Sequence, residues 1–264
     1  MEIRTRDGQR LAATLSGSPD ASARLVLVHS LAMDRRFWEP VSRDLATEAQ
    51  VLTYDCRGHG ASSRPAGPYT IGQFADDLAD ALDHLGWESS VVAGASMGGT
   101  VALAFGQNYP GRAKALGLFD TTAWYGADAP LRWRERADKA KASGMRALID
   151  FQVTRWFSDA FRTENPNIVD ACIEIFLRNE VDTYEATCHM LGNADLRDKL
   201  PSMTMPTRIA VGEEDYATPL PMAEDLHAAI GGSVLTIIPA ARHFTPLEVP
   251  QRIAAEIRLL LAAD

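Results

Sequence analysis

Cysteine is scarce in this chain. Three residues in 264, Cys56, Cys172 and Cys188, make an odd number with no C-x-x-C pair. That spacing supports neither a disulfide framework nor a zinc site. Long apolar runs are missing too, with nothing near the roughly 20 residues that a membrane-spanning helix needs. The opening Met1-Glu2-Ile3-Arg4-Thr5-Arg6-Asp7 has no apolar stretch of the secretory kind, and no Asn-x-Ser/Thr acceptor occurs. The expectation is a cytoplasmic protein without a membrane partner. Positive charge is the minority sign, 26 Lys and Arg against 35 Asp and Glu, for a net −9. That balance repels phosphate backbones, so no nucleic-acid partner is expected.

What is present is ordinary globular material, 46% hydrophobic and 23% charged. A prior of about 150 residues per domain leaves the chain between one domain and two. Its first half alternates strand and helix. Arg10 to Ser16 and Arg24 to His29 read as strands, the second containing Leu25-Val26-Leu27-Val28, an apolar run suited to a strand buried on both faces. A helix at Trp38 to Ala46 and a strand at Val51 to Tyr54 follow. Thr70 and Gln73 form a capping box for a helix over Ile71 to Leu85. Then come a strand at Ser89 to Ala93, a helix at Met97 to Asn108 and a strand at Ala115 to Phe119. Such alternation implies right-handed crossovers and a mostly parallel sheet flanked by helices.

Between Thr122 and Leu200 strands vanish and four helical signatures appear. One runs from Pro130 to Gly144, and the next carries Met145, Leu148, Ile149, Val153, Trp156 and Phe157 on one side. A third follows the Asn165-Pro166 cap, and Asp182 with Glu185 opens the fourth, which Gly192 ends. Beyond Pro206 the sheet pattern resumes, with strands at Thr207 to Val211 and Ser233 to Ile238. The economical division is one α/β core, residues 1–121 and 201–264, with a helical cap at 122–200 inserted into it.

Gly94-Ala95-Ser96-Met97-Gly98 fits G-x-S-x-G between a strand and a helix. The glycines are needed because such a turn crowds its neighbours, and it leaves Ser96 at a helix N-terminus, where negative charge is favoured. A serine hydroxyl is a weak nucleophile until a base takes its proton. Of six histidines, His243 lies just beyond the last strand, at the same sheet edge as Ser96, and is the expected base. A carboxylate must orient that ring, and Asp215, after its own strand, is expected to do so. Asp120, ending the strand after Ser96, competes for the role. An oxyanion needs two preset donors, the backbone N–H of Met97 and one from the loop after His29, for which Leu31 is the candidate.

Taken together, the chain resembles an α/β-hydrolase-fold serine hydrolase, and most closely the 3-oxoadipate enol-lactonase branch. The resemblance rests on His29-Ser30-Leu31, Asp55-Cys56-Arg57-Gly58-His59-Gly60, Ala95-Ser96-Met97-Gly98-Gly99, Asp215 and His243. Gly67-Pro68-Tyr69-Thr70-Ile71, Arg155-Trp156-Phe157 and Ala217-Thr218-Pro219 point to the branch. It implies cofactor-free hydrolysis of a small carboxylic ester or lactone through an acyl-enzyme, with substrate and water as the partners. The chain departs from that branch in having Trp124 where an arginine is usual, Ala32-Met33 where a glycine is usual, and Ala95 before the serine.

Three of the five tryptophans, Trp124, Trp133 and Trp156, fall in the inserted segment. They are candidate pocket walls, or else seal the segment onto the core. Residues 131–162 hold eight Lys and Arg against four Asp and Glu, and 163–200 hold three against eight. Arg155 is the cation to test, and His189 is a further candidate at the pocket. The Asp55 to Ser62 turn reads as structural, with Arg57 tying loops together. Perhydrolysis, amide hydrolysis or carbon–carbon cleavage on the same triad, and a non-catalytic receptor, are the competing readings. The assembly is expected to be a monomer or homodimer.

Overall fold

A strand covered on both faces needs apolar side chains at every position, and β-branched and aliphatic runs supply them here. The computed structural model describes residues 1–262. Its strands are β1 (Glu2–Arg4), β2 (Arg10–Ser16), β3 (Arg24–Val28) and β4 (Gln50–Tyr54), then β5 (Ser90–Ala95), β6 (Ala113–Phe119), β7 (Thr207–Gly212) and β8 (Val234–Ile238). They form one sheet in the order β1-β2-β4-β3-β5-β6-β7-β8. Strand β2 pairs antiparallel with β1 and β4, and all other neighbours are parallel. Strand β1 has three residues, too few for an alternation to be legible in sequence.

Helices α1 (Glu39–Leu45), α2 (Ile71–Leu85) and α3 (Met97–Asn108) belong to the first half of the chain. The expected capping box on α2 is formed, with the Gln73 amide N–H donating to Thr70 and the Thr70 N–H to the Gln73 side chain. Helices α4 (Ala129–Ser143), α5 (Ile149–Trp156), α6 (Asp159–Glu164), α7 (Pro166–Leu177) and α8 (Val181–Gly192) lie between β6 and β7. Where four helical signatures are legible, five α-helices form. The extra one, α6, is six residues long and is opened by the Ser158 hydroxyl, which accepts from the Phe161 N–H. Helix α8 starts at Val181, so Asp182 lies within its first turn and does not cap it. Last come α9 (Leu220–Ala229), α10 (Thr245–Glu248) and α11 (Pro250–Leu261). No helix among the described residues is long and apolar enough to cross a membrane.

Parallel pairing sets the register that matters for a site. Val28 lies opposite Gly94, Ala95 opposite Phe119, and Gly212 opposite Ile238. Strands β3, β5, β6, β7 and β8 therefore end at one edge, and the loops that follow them converge there. Under that edge Phe244 packs edge-on against Phe37, at 5.0 Å between ring centroids, and stacks on Trp156 at 5.1 Å. It thereby joins the α5 end to the sheet core.

Candidate active site

The turn from β5 to α3 forces Ser96 into a left-handed backbone conformation, φ 54° and ψ −121°. A side chain on Gly94 would meet the Gly98 carbonyl oxygen at 2.0 Å, and one on Gly98 the Val28 carbonyl oxygen at 2.0 Å. Both glycines are required by that crowding. The strained serine is held from below by the Thr121 hydroxyl, which donates to its carbonyl at 2.7 Å. Strain of this kind persists only where the surroundings over-determine it.

His243 stands between Ser96 and Asp215. Its Nε2 is 2.8 Å from Ser96 Oγ, and its Nδ1 is 2.8 Å from Asp215 Oδ2. Asp215 is fixed in turn by the Ala217 and Thr218 N–H groups at 2.7 and 2.9 Å and by the Thr218 hydroxyl at 2.9 Å. With every lone-pair direction answered, the carboxylate selects the imidazole tautomer with its proton on Nδ1, leaving Nε2 free to accept from the serine.

Asp120, the competing acid, does something else. It accepts from the Gly212 N–H at 3.1 Å, the Thr245 N–H at 3.1 Å and the Thr245 hydroxyl at 2.6 Å. Burial, and then the Asp215 charge, push its carboxyl well above the usual range. It ties β6, β7 and the start of α10 together, and so supports the His243 loop without touching the ring.

Of the donor candidates, Met97 opens α3 directly after Ser96, and Leu31 lies in a turn closed by the Met33 N–H on the Ser30 carbonyl. Neither backbone N–H has an acceptor among the described residues. His29 holds this turn from behind. Its Nε2 accepts from the Cys56 N–H at 2.9 Å and its Nδ1–H donates to the Ser30 carbonyl at 2.8 Å. Behind it, the expected structural turn is built on charge: Arg57 grips Asp77 with two bonds at 2.5 and 2.7 Å and reaches Asp7 at 3.0 Å.

A cavity of about 240 Å³ opens over Ser96 and His243. Trp133, Arg155 and Trp156 line it, as the sequence suggests. Trp124 and His189 do not. The Trp124 ring lies beneath the Arg197 guanidinium, 3.6 Å from its centroid, and its backbone bridges to Asp195. His189, on α8, is outside the lining, and its Nε2 is buried without a partner. Four polar lining residues between β6 and β7 were not foreseen: Tyr125, Arg132, Arg136 and Gln152. A signal existed for two of them, because Arg136 lies three residues past Trp133 on α4 and Gln152 four before Trp156 on α5, spacings that share a helix face.

The charges around this cavity are one-sided, since Arg132, Arg136 and Arg155 line it and no carboxylate among the described residues does. Arg132 is paired with Asp128 at 2.9 Å. Arg136 has no carboxylate partner among the described residues. Its Nε donates to the Tyr184 hydroxyl at 2.6 Å and its guanidinium lies 4.9 Å from the Trp133 ring centroid. Arg155 donates to the Tyr216 carbonyl and lies 4.9 Å from the Phe151 ring centroid. Burial, and then the neighbouring Arg136, draw its pKa down, as expected of a cation short of negative company. Gln152 is only 3% exposed, and its amide has no hydrogen-bond partner among the described residues. Burial pushes the Tyr125 hydroxyl up to about 12, so it remains a donor at neutral pH.

This arrangement of sheet edge, strained serine and helical segment has close parallels. A family model described as "alpha/beta hydrolase fold" matches residues 23–250, and the chain belongs to that family. Among curated relatives, "3-oxoadipate enol-lactonase 1" of Acinetobacter baylyi is 31% identical over 250 residues, covering 95% of this chain and 92% of that one. From the same organism, "3-oxoadipate enol-lactonase 2" is 30% identical over 235 residues, covering 89% and 86%. Among solved structures, the enol-lactonase from Burkholderia xenovorans LB400 superposes with a TM-score of 0.94 at 29% identity, over 99% of this chain and 100% of that one. A thermophilic esterase from Thermogutta terrifontis follows at 0.92 and 29%, over 99% and 97%.

Proposed function

We propose that the protein hydrolyses a small carboxylic ester or lactone bearing a carboxylate, through an acyl-enzyme on Ser96, in the manner of the enol-lactonases that it is similar to. The observation that carries the reading is His243 hydrogen-bonded at 2.8 Å to both Ser96 and Asp215 beneath a cavity that holds cations and no acid.

Ser96 Oγ attacks the carbonyl carbon as its proton passes to His243 Nε2, and Asp215 holds the resulting imidazolium. The oxyanion is received by the Leu31 and Met97 N–H groups, each worth about 2.7–4 kcal/mol to the transition state. When the intermediate collapses, His243 gives its proton to the leaving oxygen. In a lactone that oxygen stays on the acyl chain. Water, deprotonated by His243, then attacks the acyl carbon and releases the acid and Ser96. The helices between β6 and β7 act as a cap that supplies the far wall. Arg136 and Arg155 receive the substrate's carboxylate there, and Gln152 offers it a neutral donor. Trp124 lies outside the cavity, so the arginine missing at that position does not remove positive charge from it.

A fluorophosphonate probe is expected to label Ser96 and to abolish ester turnover. Undiminished labelling and turnover in Ser96→Ala would overturn the reading. Tight ligand binding with no turnover across a panel of esters would favour a receptor instead.

A further inference from the structure

Leu31 can serve as an oxyanion donor only while its turn keeps one shape, and that shape strains the next residue. The turn Ser30-Leu31-Ala32-Met33 is closed by the Met33 N–H on the Ser30 carbonyl at 3.1 Å, and Ala32 sits at φ 58°. A turn with left-handed backbone only at its third position is of type II, which favours glycine there. An alanine in that region is crowded by its own Cβ, so something outside the turn must hold it.

The holder comes from the helical segment. Asn179, just past the C-terminus of α7, points its Nδ2 at the Ala32 carbonyl at 2.8 Å. The same nitrogen is 3.0 Å from the Ile175 and Phe176 carbonyls at the α7 end, which also accept from the Arg178 and Asn179 N–H groups. One amide thus closes a helix and pins a strained turn 147 residues away in sequence.

We infer that Asn179 is a positioning residue for the oxyanion loop: its bond to Ala32 keeps the Leu31 N–H aimed at the reacting carbonyl, which makes the end of α7 part of the catalytic machinery. The inference rests on the proposed acyl-enzyme reaction. Asn179 touches no substrate, so its effect appears in the step where charge develops on the carbonyl oxygen.

The test is a double-variant experiment with p-nitrophenyl acetate. Asn179→Ala is expected to lower kcat about tenfold to a hundredfold, short of the loss of a whole donor, with KM within threefold of the parent. Ala32→Gly alone supplies the reference kcat against which the rescue is read. Placed on top of Asn179→Ala, it is expected to restore most of the lost kcat, because glycine holds the turn unaided. If Asn179→Ala does not fold, Asn179→Ser keeps a donor for the helix-end carbonyls and takes its place. A parental kcat in the Asn179 variant would overturn the inference, as would a loss that Ala32→Gly leaves unrescued. The acyl-enzyme reading fails separately, if Ser96→Ala keeps its turnover.

Discussion

The sheet edge and the helical wall of this site are built on opposite rules. At the edge, Ser96, His243, Asp215 and Asp120 all have their side-chain polar atoms answered at hydrogen-bond distance, and each of the two acids accepts from two backbone N–H groups. In the wall, Arg136 lacks a carboxylate and the Gln152 amide lacks a partner among the described residues. Backbone-held groups are preorganised for one geometry and need no rearrangement during reaction. Donors left facing a cavity, as these are, stay open to a ligand of matching chemistry. On the proposed reading, the edge is prepared for a reaction and the wall for a substrate.

Exchanging the two acids breaks the comparison hardest. Asp215→Asn is expected to lower kcat by about 10⁴, because an amide favours the wrong imidazole tautomer. Asp120→Asn is expected to keep kcat within tenfold while costing about 1–3 kcal/mol of stability, since its new N–H₂ group would face the Gly212 or Thr245 donors. Urea unfolding beside steady-state kinetics checks both, and equal kinetic losses would show that the edge does not divide chemistry from support.

The wall is sharpened by charge. Arg136→Met is expected to lower kcat/KM for an ester carrying a free carboxylate about tenfold to a hundredfold, the loss of one charge-assisted contact. For the methyl ester of the same acid it should change less than threefold. Equal effects on the two substrates would remove the carboxylate from the proposal.

The smallest expected effect belongs to the support behind the edge. Burial, and then the nearby His29, pull the His59 pKa down to about 3, and burial also lowers that of His29. A histidine kept neutral in the fold adds stability in full above its unfolded pKa, about 6.5. That stability is lost as pH falls below this value, at no more than about 1.4 kcal/mol per pH unit for one ring. Asp77 works in the opposite sense, because burial raises its pKa to about 6 against the pull of Arg57, and protonation then favours the fold. Comparing urea midpoints of the parent and His59→Gln between pH 7 and pH 5 isolates the ring. A pH slope that is the same in both would place His59 outside this balance.

How much of the site is legible in sequence follows the same division. Ser96, Asp215 and His243 each follow a strand, so the backbone carries them to one edge once the strands are recognised. The choice between Asp215 and Asp120 is harder, since both end strands at that edge. It is decided by the Ala217 amide and Thr218, two and three residues past the acid, which turn Asp215 toward His243. In the helical segment, residue type is a poor guide. Trp124 looks like a pocket wall, yet a neighbouring arginine covers it. Arg136 looks like one charge among eight, yet it lines the cavity. There, which way a side chain points depends on how α4, α5 and α8 pack together, and a single helix pattern does not fix that. Helix α6 escapes notice for another reason, being too short to show a period.

The loop bearing His243 is fastened on both flanks to the end of α5. Arg242 donates to the Thr154 and Phe157 carbonyls at 3.0 Å, and the Phe244 N–H donates to the Trp156 carbonyl at 2.9 Å. The end of α5 and the base therefore hold one position together, and shifting either would part His243 from Ser96. Arg155 adds a further tie from the same helix turn, to the Tyr216 main chain beside the exposed rings of Phe151 and Tyr216.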